Sequence, residues 1–222
     1  MNSEVIKTIS DYAPQLLCGA LKTIGIWLCA AAIGIAIGSL LGTVTSNKIR
    51  IPILSSIINK VTFVLRGVPF YVQLLIAYFV LPDLLGINLS PFFAGAMSLG
   101  LCSAGYVCQI VRTGINSIPN GQWEACYVLG YPFFLTLKNI IFPQMARNVS
   151  PAICGELDQL LKSTSLLSAI GFMELTRVGM NIISREMNPV PMYLLIAVLY
   201  LSMSWLLNIS SRKIEKRMLY ES

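Results

Sequence analysis

The sequence predicts an all-α integral membrane protein with five transmembrane helices and a two-helix loop on the cytoplasmic side. Three observations carry this. Of 222 residues, 55% are hydrophobic and 12% charged, about half the charged share of an ordinary soluble domain, so much of the surface does not face water. Five apolar runs approach or exceed the roughly 20 residues needed to cross a bilayer. One polar stretch, 116–144, interrupts them and is too polar at its start to span.

The first span is expected over about 16–44. Gly34, Gly38 and Gly42 recur along it at four-residue spacing, a flat stripe that lets a second helix approach closely. The second runs over about 53–81, the third over about 91–115, the fourth over about 149–172 and the fifth over about 191–209. No composition shift separates them, so residues 1–222 are expected to form one transmembrane domain. The N-terminus does not read as a signal peptide. Glu4 and Asp11 fall in its first 15 residues and the first apolar stretch is too long, so the first span is expected to stay in the mature chain.

Basic residues set the orientation. Lys48 and Arg50 follow the first span, Lys138 and Arg147 lie between the third and fourth, and Arg212, Lys213, Lys216 and Arg217 end the chain. With five spans these fall on one side, which places the C-terminus in the cytoplasm and the N-terminus outside. Lys7 and Lys22 oppose this weakly. The net charge of +6 sits beside apolar runs rather than interleaved with aromatics on a soluble face, so nucleic acid is not expected as a partner. The six cysteines show no C-x-x-C spacing, and there is no histidine. Neither a metal site nor an imidazole-based catalytic centre is expected.

Within the loop, Ser117 to Gly121 reads as a turn. A short helix is expected over 122–129, ended by Gly130 and Pro132, and a second over about 133–141, stopping before Pro143. Glu124, Ala125, Gly130, Ile140 and Pro143 stand in the spacing EAA-x3-G-x9-I-x-LP, with Cys126 for the second alanine and Phe142 for the leucine. That pattern resembles the permease subunits of ABC importers. Further segments resemble the branch of that family that takes up polar amino acids, typified by histidine, glutamine and arginine permeases. They are Arg66-Gly67-Val68-Pro69 with Gln73, Tyr78-Phe79 with Leu81-Pro82, Leu160 to Leu166, and Ile170-Gly171 with Glu174-Leu175-Thr176.

The resemblance implies a type I importer architecture in the bacterial cytoplasmic (inner) membrane, alternating access, and a loop that couples the spans to a separate ATPase. Glu124 would lie near the ATPase surface and Gly130 would allow the sharp turn. The chain has no G-x-x-x-x-G-K-[ST] loop. No cofactor is therefore expected in it, and ATP is expected in a partner. The implied partners are two ABC ATPase subunits, a second permease chain, identical or related, an extracytoplasmic amino acid binding protein and membrane lipid.

Ionisable residues inside spans carry information because they are costly there. Asp158 and Lys162 are four apart and pair on one helix face. Glu156 lies about 200° around the helix from Asp158 and needs a partner from elsewhere. Arg112 is the candidate. Two readings stand: Arg112 takes a substrate carboxylate and Glu156 an amine or cationic side chain, or the two form an interhelix salt bridge. Gln109 stands where such permeases often carry an acid, and it shares the face of Arg112. Gln73 is a candidate neutral hydrogen-bonding group, as are Thr164 and Ser165. The leading cargo is a basic amino acid or glutamine. An ion-coupled secondary transporter lacks the expected internal repeat. An intramembrane Ser/Lys enzyme leaves the loop unexplained.

Overall fold

The computed structural model describes residues 2–49 and 51–220. Arg50, counted above for orientation, lies outside them, as do the side chains of Glu4, Lys7, Lys216 and Arg217. The described residues are helical throughout, with no strand. In chain order the helices are α1 (Asn2–Thr45), α2 (Pro52–Gly67), α3 (Phe70–Leu85), α4 (Pro91–Asn116), α5 (Asn120–Val128), α6 (Phe133–Ile170), α7 (Leu175–Glu186) and α8 (Pro189–Tyr220). Three stretches are long and apolar enough to cross a membrane unaided: Ser10–Thr45, Pro91–Asn116 and Pro189–Lys213. The pairs α2 with α3 and α6 with α7 make up to five if each bent pair is one span.

Two of the expected elements change. The run 53–81 is not one helix but is broken after Gly67, and α2 and α3 meet at a 101° bend. Pro69 is the cause. It restricts the residue before it to extended backbone, and Val68 sits at φ −88°, ψ 132°. The second loop helix does not stop before Pro143. Chain 133–170 stays helical, through a widened turn at Leu137–Ile141 and a tightened one at Thr164–Ile170. A proline ring inside a helix clashes with the carbonyl four residues back. The widened turn immediately before Pro143 is the kind of local adjustment that relieves this.

By packing, the chain divides into two compact units. One comprises Met1–Ala32, Pro69–Gly100 and Asp158–Asn208; the other comprises Ile33–Val68, Leu101–Leu157 and Ile209–Ser222.

In the first unit Leu16, Leu175, Val178, Ile182, Met192 and Ile196 form a core. Residues 175, 178 and 182 follow helical spacing, so α7 turns one apolar stripe inward. A Cβ at Gly19 would stand 3.1 Å from Leu175 Cα, and one at Gly179 would stand 2.2 Å from Ile196 Cδ1. Gly19 thus lets the backbones of α1 and α7 approach closely, and a Cβ at Gly179 would force the Ile196 side chain to move. Glu174 is fully buried and caps α7. Its carboxylate accepts from Thr176 N and Arg177 N, both at 2.7 Å, and from Tyr200 Oη at 2.9 Å. Thr23 Oγ1 accepts from Leu175 N at 3.1 Å. The first orphan donors of this helix are therefore satisfied without water.

In the second unit the core is Val107, Val111, Ile115, Ile118 and Ile141. Two glycines of the α1 stripe, Gly38 and Gly42, pack as expected. A Cβ at Gly38 would stand 2.6 Å from Val107 Cβ, and one at Gly42 would stand 2.6 Å from Cys108 O. At Gly114 a Cβ would stand 2.1 Å from Val149 Cγ1. Gly114→Ala should therefore lower stability by about 1–3 kcal/mol through overpacking, read as a lower thermal midpoint in detergent. Gly25→Ala is the control, because nothing lies within 4 Å of that position; it should leave the midpoint unchanged or raise it.

Candidate functional site

The loop builds a rigid, outward-facing tip in the second unit. Helix α5 ends in a Schellman closure. Tyr131 N donates to Cys126 O at 2.9 Å, and Gly130 N to Tyr127 O at 3.0 Å. Gly130 takes φ +66°, a left-handed conformation that costs a residue with a Cβ about 1–2 kcal/mol. The loop's inner side is anchored. Trp123, Leu137, Ile140 and Phe142 pack on the core of α4 and α6, and Cys126 is buried. Asn139 Nδ2 donates to Tyr131 Oη at 3.0 Å, which ties the start of α6 back to the turn. The outer side is bare. Tyr127, Val128 and Leu129 are 86%, 82% and 80% exposed, and Glu124 and Ala125 beside them are exposed too. These three consecutive apolar side chains are among the most exposed large hydrophobics of the chain. Of the motif residues, Glu124, Ala125 and Gly130 lie on this outer side, Ile140 is half-buried inward, and Pro143 is exposed.

The charged residues of the same unit do not pair as one of the two readings requires. Arg112 Nη1 donates to Asn59 Oδ1 at 2.9 Å. Glu156 accepts from Ser103 Oγ at 2.8 Å. Ser103 and Arg112 are nine residues apart on α4, about 13–14 Å along its axis. Gln109 is exposed. Gln73 is half-buried on α3, in the other unit. Asp158 and Lys162 pair at 2.6 Å as their spacing predicts, and Ser204 Oγ also donates to Asp158.

Residues 30–220 match the family model described as the binding-protein-dependent transport system inner membrane component. This chain belongs to that family. The permease is 35% identical over 201 residues to the putative glutamine transport system permease protein GlnP of Rickettsia felis, covering 90% of this chain and 91% of that one. It is 33% identical over 218 residues to the arginine transport system permease protein ArtQ of Bacillus subtilis, covering 98% of both. Among solved structures, an amino acid ABC transporter crystallised with histidines superposes at a TM-score of 0.85. The identity is 30%, over 94% of this chain and 96% of that one. The inward-facing MetNI methionine transporter shares the fold at a TM-score of 0.80 and 19% identity, over 94% of this chain and 98% of that one. The protein is thus a multi-pass inner membrane permease component of an ABC transporter. It is not the catalytic subunit, and ATP is handled by a partner ATPase.

Sequence reasoning passed over Asn59 and Ser103 in this permease, and named Arg66 only within the Arg66-Gly67-Val68-Pro69 motif and not as a site residue. Asn59 and Ser103 hold the two charged side chains, and neither stood out as one polar residue among many on its helix. Arg66 carried a stronger signal. It is the cation in the last turn of α2, immediately before the break at Pro69. Its Nε donates to Thr62 O at 3.2 Å, and its backbone carbonyl accepts from Tyr106 Oη at 3.5 Å. Its Cγ would lie 3.4 Å from a Cβ at Gly105. Gly105 is two residues from Ser103, so Arg66 stands much nearer to the level of Glu156 along α4 than Arg112 does.

The loop geometry itself is testable in the permease purified in detergent without its ATPase. Gly130→Ala should open the turn by about 1 kcal/mol and speed chymotryptic cleavage at Tyr131 about fivefold. Gly121→Ala, inside α5 with nothing within 4 Å, should leave the cleavage rate unchanged.

Proposed function

We propose that this permease imports a polar amino acid of the basic or glutamine class, and that it works as one of two permease chains, identical or related, docked on two ATPase subunits. The relatives named for glutamine and arginine transport support the substrate class. An extracytoplasmic amino acid binding protein delivers the substrate. The loop 116–144 lies in the cytoplasm with the C-terminus, and the N-terminus lies outside, as the basic residues after α1 and at the end of α8 favour.

The observation that carries the coupling role is the bare tip Tyr127-Val128-Leu129 on an anchored loop. Glu124, Ala125, Gly130, Ile140 and Pro143 shape it and present it. Closure of the ATPase pair moves two such loops, and the spans follow as rigid bodies. Replacing Val128 and Leu129 together by Ser should abolish co-purification of the ATPase, while the permease still inserts in the membrane. Glu124→Ala should uncouple transport from ATP hydrolysis. Normal transport in both variants would refute the coupling role.

Glu156, held by Ser103, receives the ammonium group or the cationic side chain of the substrate. An arginine receives the carboxylate: Arg66 at the level of Glu156, and Arg112, with Gln109 on its face, further along the pathway. Gln73 is a neutral contact. Glu156→Gln should lower substrate-stimulated ATP hydrolysis at least tenfold for a basic amino acid, since an in-membrane charge partner is lost. Basal hydrolysis should be retained. Arg66→Ala and Arg112→Ala rank the two arginines in the same assay. An equal fall of basal and stimulated rates would assign Glu156 to structure alone.

A further inference from the structure

The first unit holds a cavity of about 210 Å³ between α1 and α7 that neither the loop nor the membrane carboxylate uses. On α1 it is lined by Gln15, Cys18 and Lys22, at the i, i+3, i+7 spacing of one helix face. On α7, Val178 and Ile182 form its buried floor, and Asn181 and Arg185 form its polar wall. A cavity of that size holds far more than one water, which needs about 10–15 Å³. No carboxylate lines it. The nearest in sequence, Glu186, accepts from Tyr12 Oη at 2.6 Å. Lys22 and Arg185 make no hydrogen bond or ion pair with the described residues.

Two unpaired cations beside one cavity call for an anion, and depth in the membrane identifies its source. Between Lys22 and Lys48 the sequence is uncharged. Its helical part, from Thr23 to Val44, measures about 33 Å at 1.5 Å per residue, close to the roughly 30 Å of a bilayer's hydrocarbon core. If the Lys48 end lies at one interface, Lys22 lies at the headgroup level of the other. The bilayer side of Lys22 suits acyl chains. Ile24 and Leu28 of α1, in the turns that follow Lys22 into the span, are 37% and 54% exposed.

We propose that this cavity binds the phosphate of an anionic phospholipid, in the leaflet at the N-terminal end of α1. Lys22 and Arg185 neutralise the phosphate, Gln15 and Asn181 add hydrogen bonds, and the acyl chains lie along Ile24 and Leu28. The site clamps α1 to α7 by way of a lipid and does not depend on which amino acid is carried.

The test uses the assembled transporter, delipidated in detergent and titrated with phosphatidylglycerol or phosphatidylcholine, with bound lipid counted by native mass spectrometry. Wild type should retain phosphatidylglycerol in preference to phosphatidylcholine. Lys22→Gln and Arg185→Gln should each weaken that retention about fivefold, as expected of one cation at a membrane surface. Lys22→Arg should preserve it and so control for misassembly. Equal retention of both lipids, or retention unchanged in the Gln variants, would overturn the proposal. Inorganic phosphate at millimolar concentration separates the sources. If it binds wild type, is lost in the Gln variants, and displaces no lipid, the site takes a free anion and the lipid assignment fails.

Discussion

Close backbone approach at glycine is the constraint on which the rest of the molecule depends. Between helices in a bilayer there is no hydrophobic drive to associate, because lipid tails are as apolar as leucine. Contact must come from packing and from hydrogen bonds. In the second unit Gly38 and Gly42 bring α1 against Val107 and Val111 of α4, and Gly114 brings α4 against Val149 of α6. Of the three unbroken spans α4 is accordingly the most enclosed, with 67% of its apolar window buried, against 28% for α1 and 17% for α8. The first unit uses the same device at Gly19 and Gly179.

Close packing places a second demand on the chain wherever a helix breaks. Freed backbone donors and acceptors have no water to turn to in the hydrocarbon region. The chain answers with side chains held nearby. Glu174, Tyr200 and Thr23 satisfy the start of α7. The carbonyl of Ser168 accepts from Arg177 Nη1 at 3.4 Å. At the other break the carbonyl of Arg66 accepts from Tyr106. A buried carboxylate with three donors around it is thus a helix cap, and a charge in a span is not by itself a sign of substrate. Glu156 differs because it accepts from one donor, Ser103, where Glu174 accepts from three.

This difference explains what was legible in the sequence. Helix existence was legible because runs of twenty apolar residues admit few alternatives. So was the glycine stripe of α1, since four-residue spacing fixes the face. The Asp158–Lys162 pair was local, so spacing decided it. The partners of Arg112 and Glu156 were not local. They depend on the depth at which α2, α4 and α6 cross, and no spacing along one helix encodes that. The bend at Pro69 was present as an Arg-Gly-Val-Pro run, but apolar residues on both sides masked it as one span. The exposed tip Tyr127-Val128-Leu129 read as apolar sequence, and only the Schellman turn at Gly130 shows which way it faces.

The continuity of α6 through Pro143 changes the mechanics expected of the loop. A loop helix that stopped before Pro143 would join the span through a hinge, and part of any movement would be lost in it. Instead Phe142–Ser163 is one helix, entered through the widened turn at Leu137–Ile141. Ile141 is fully buried in the core with Val111 and Ile115, and Glu156 lies fifteen residues beyond it, about 22 Å along the same rod. A displacement of the tip therefore reaches the level of Glu156 along one helix, which carries Pro151 between the two. The widened turn gives the rod a point of local adjustment at Pro143, and Pro151 inside the helix is a second. On the proposed roles, the coupling tip and Glu156 then lie along one helix, and the packing of Gly114 against Val149 lies between them.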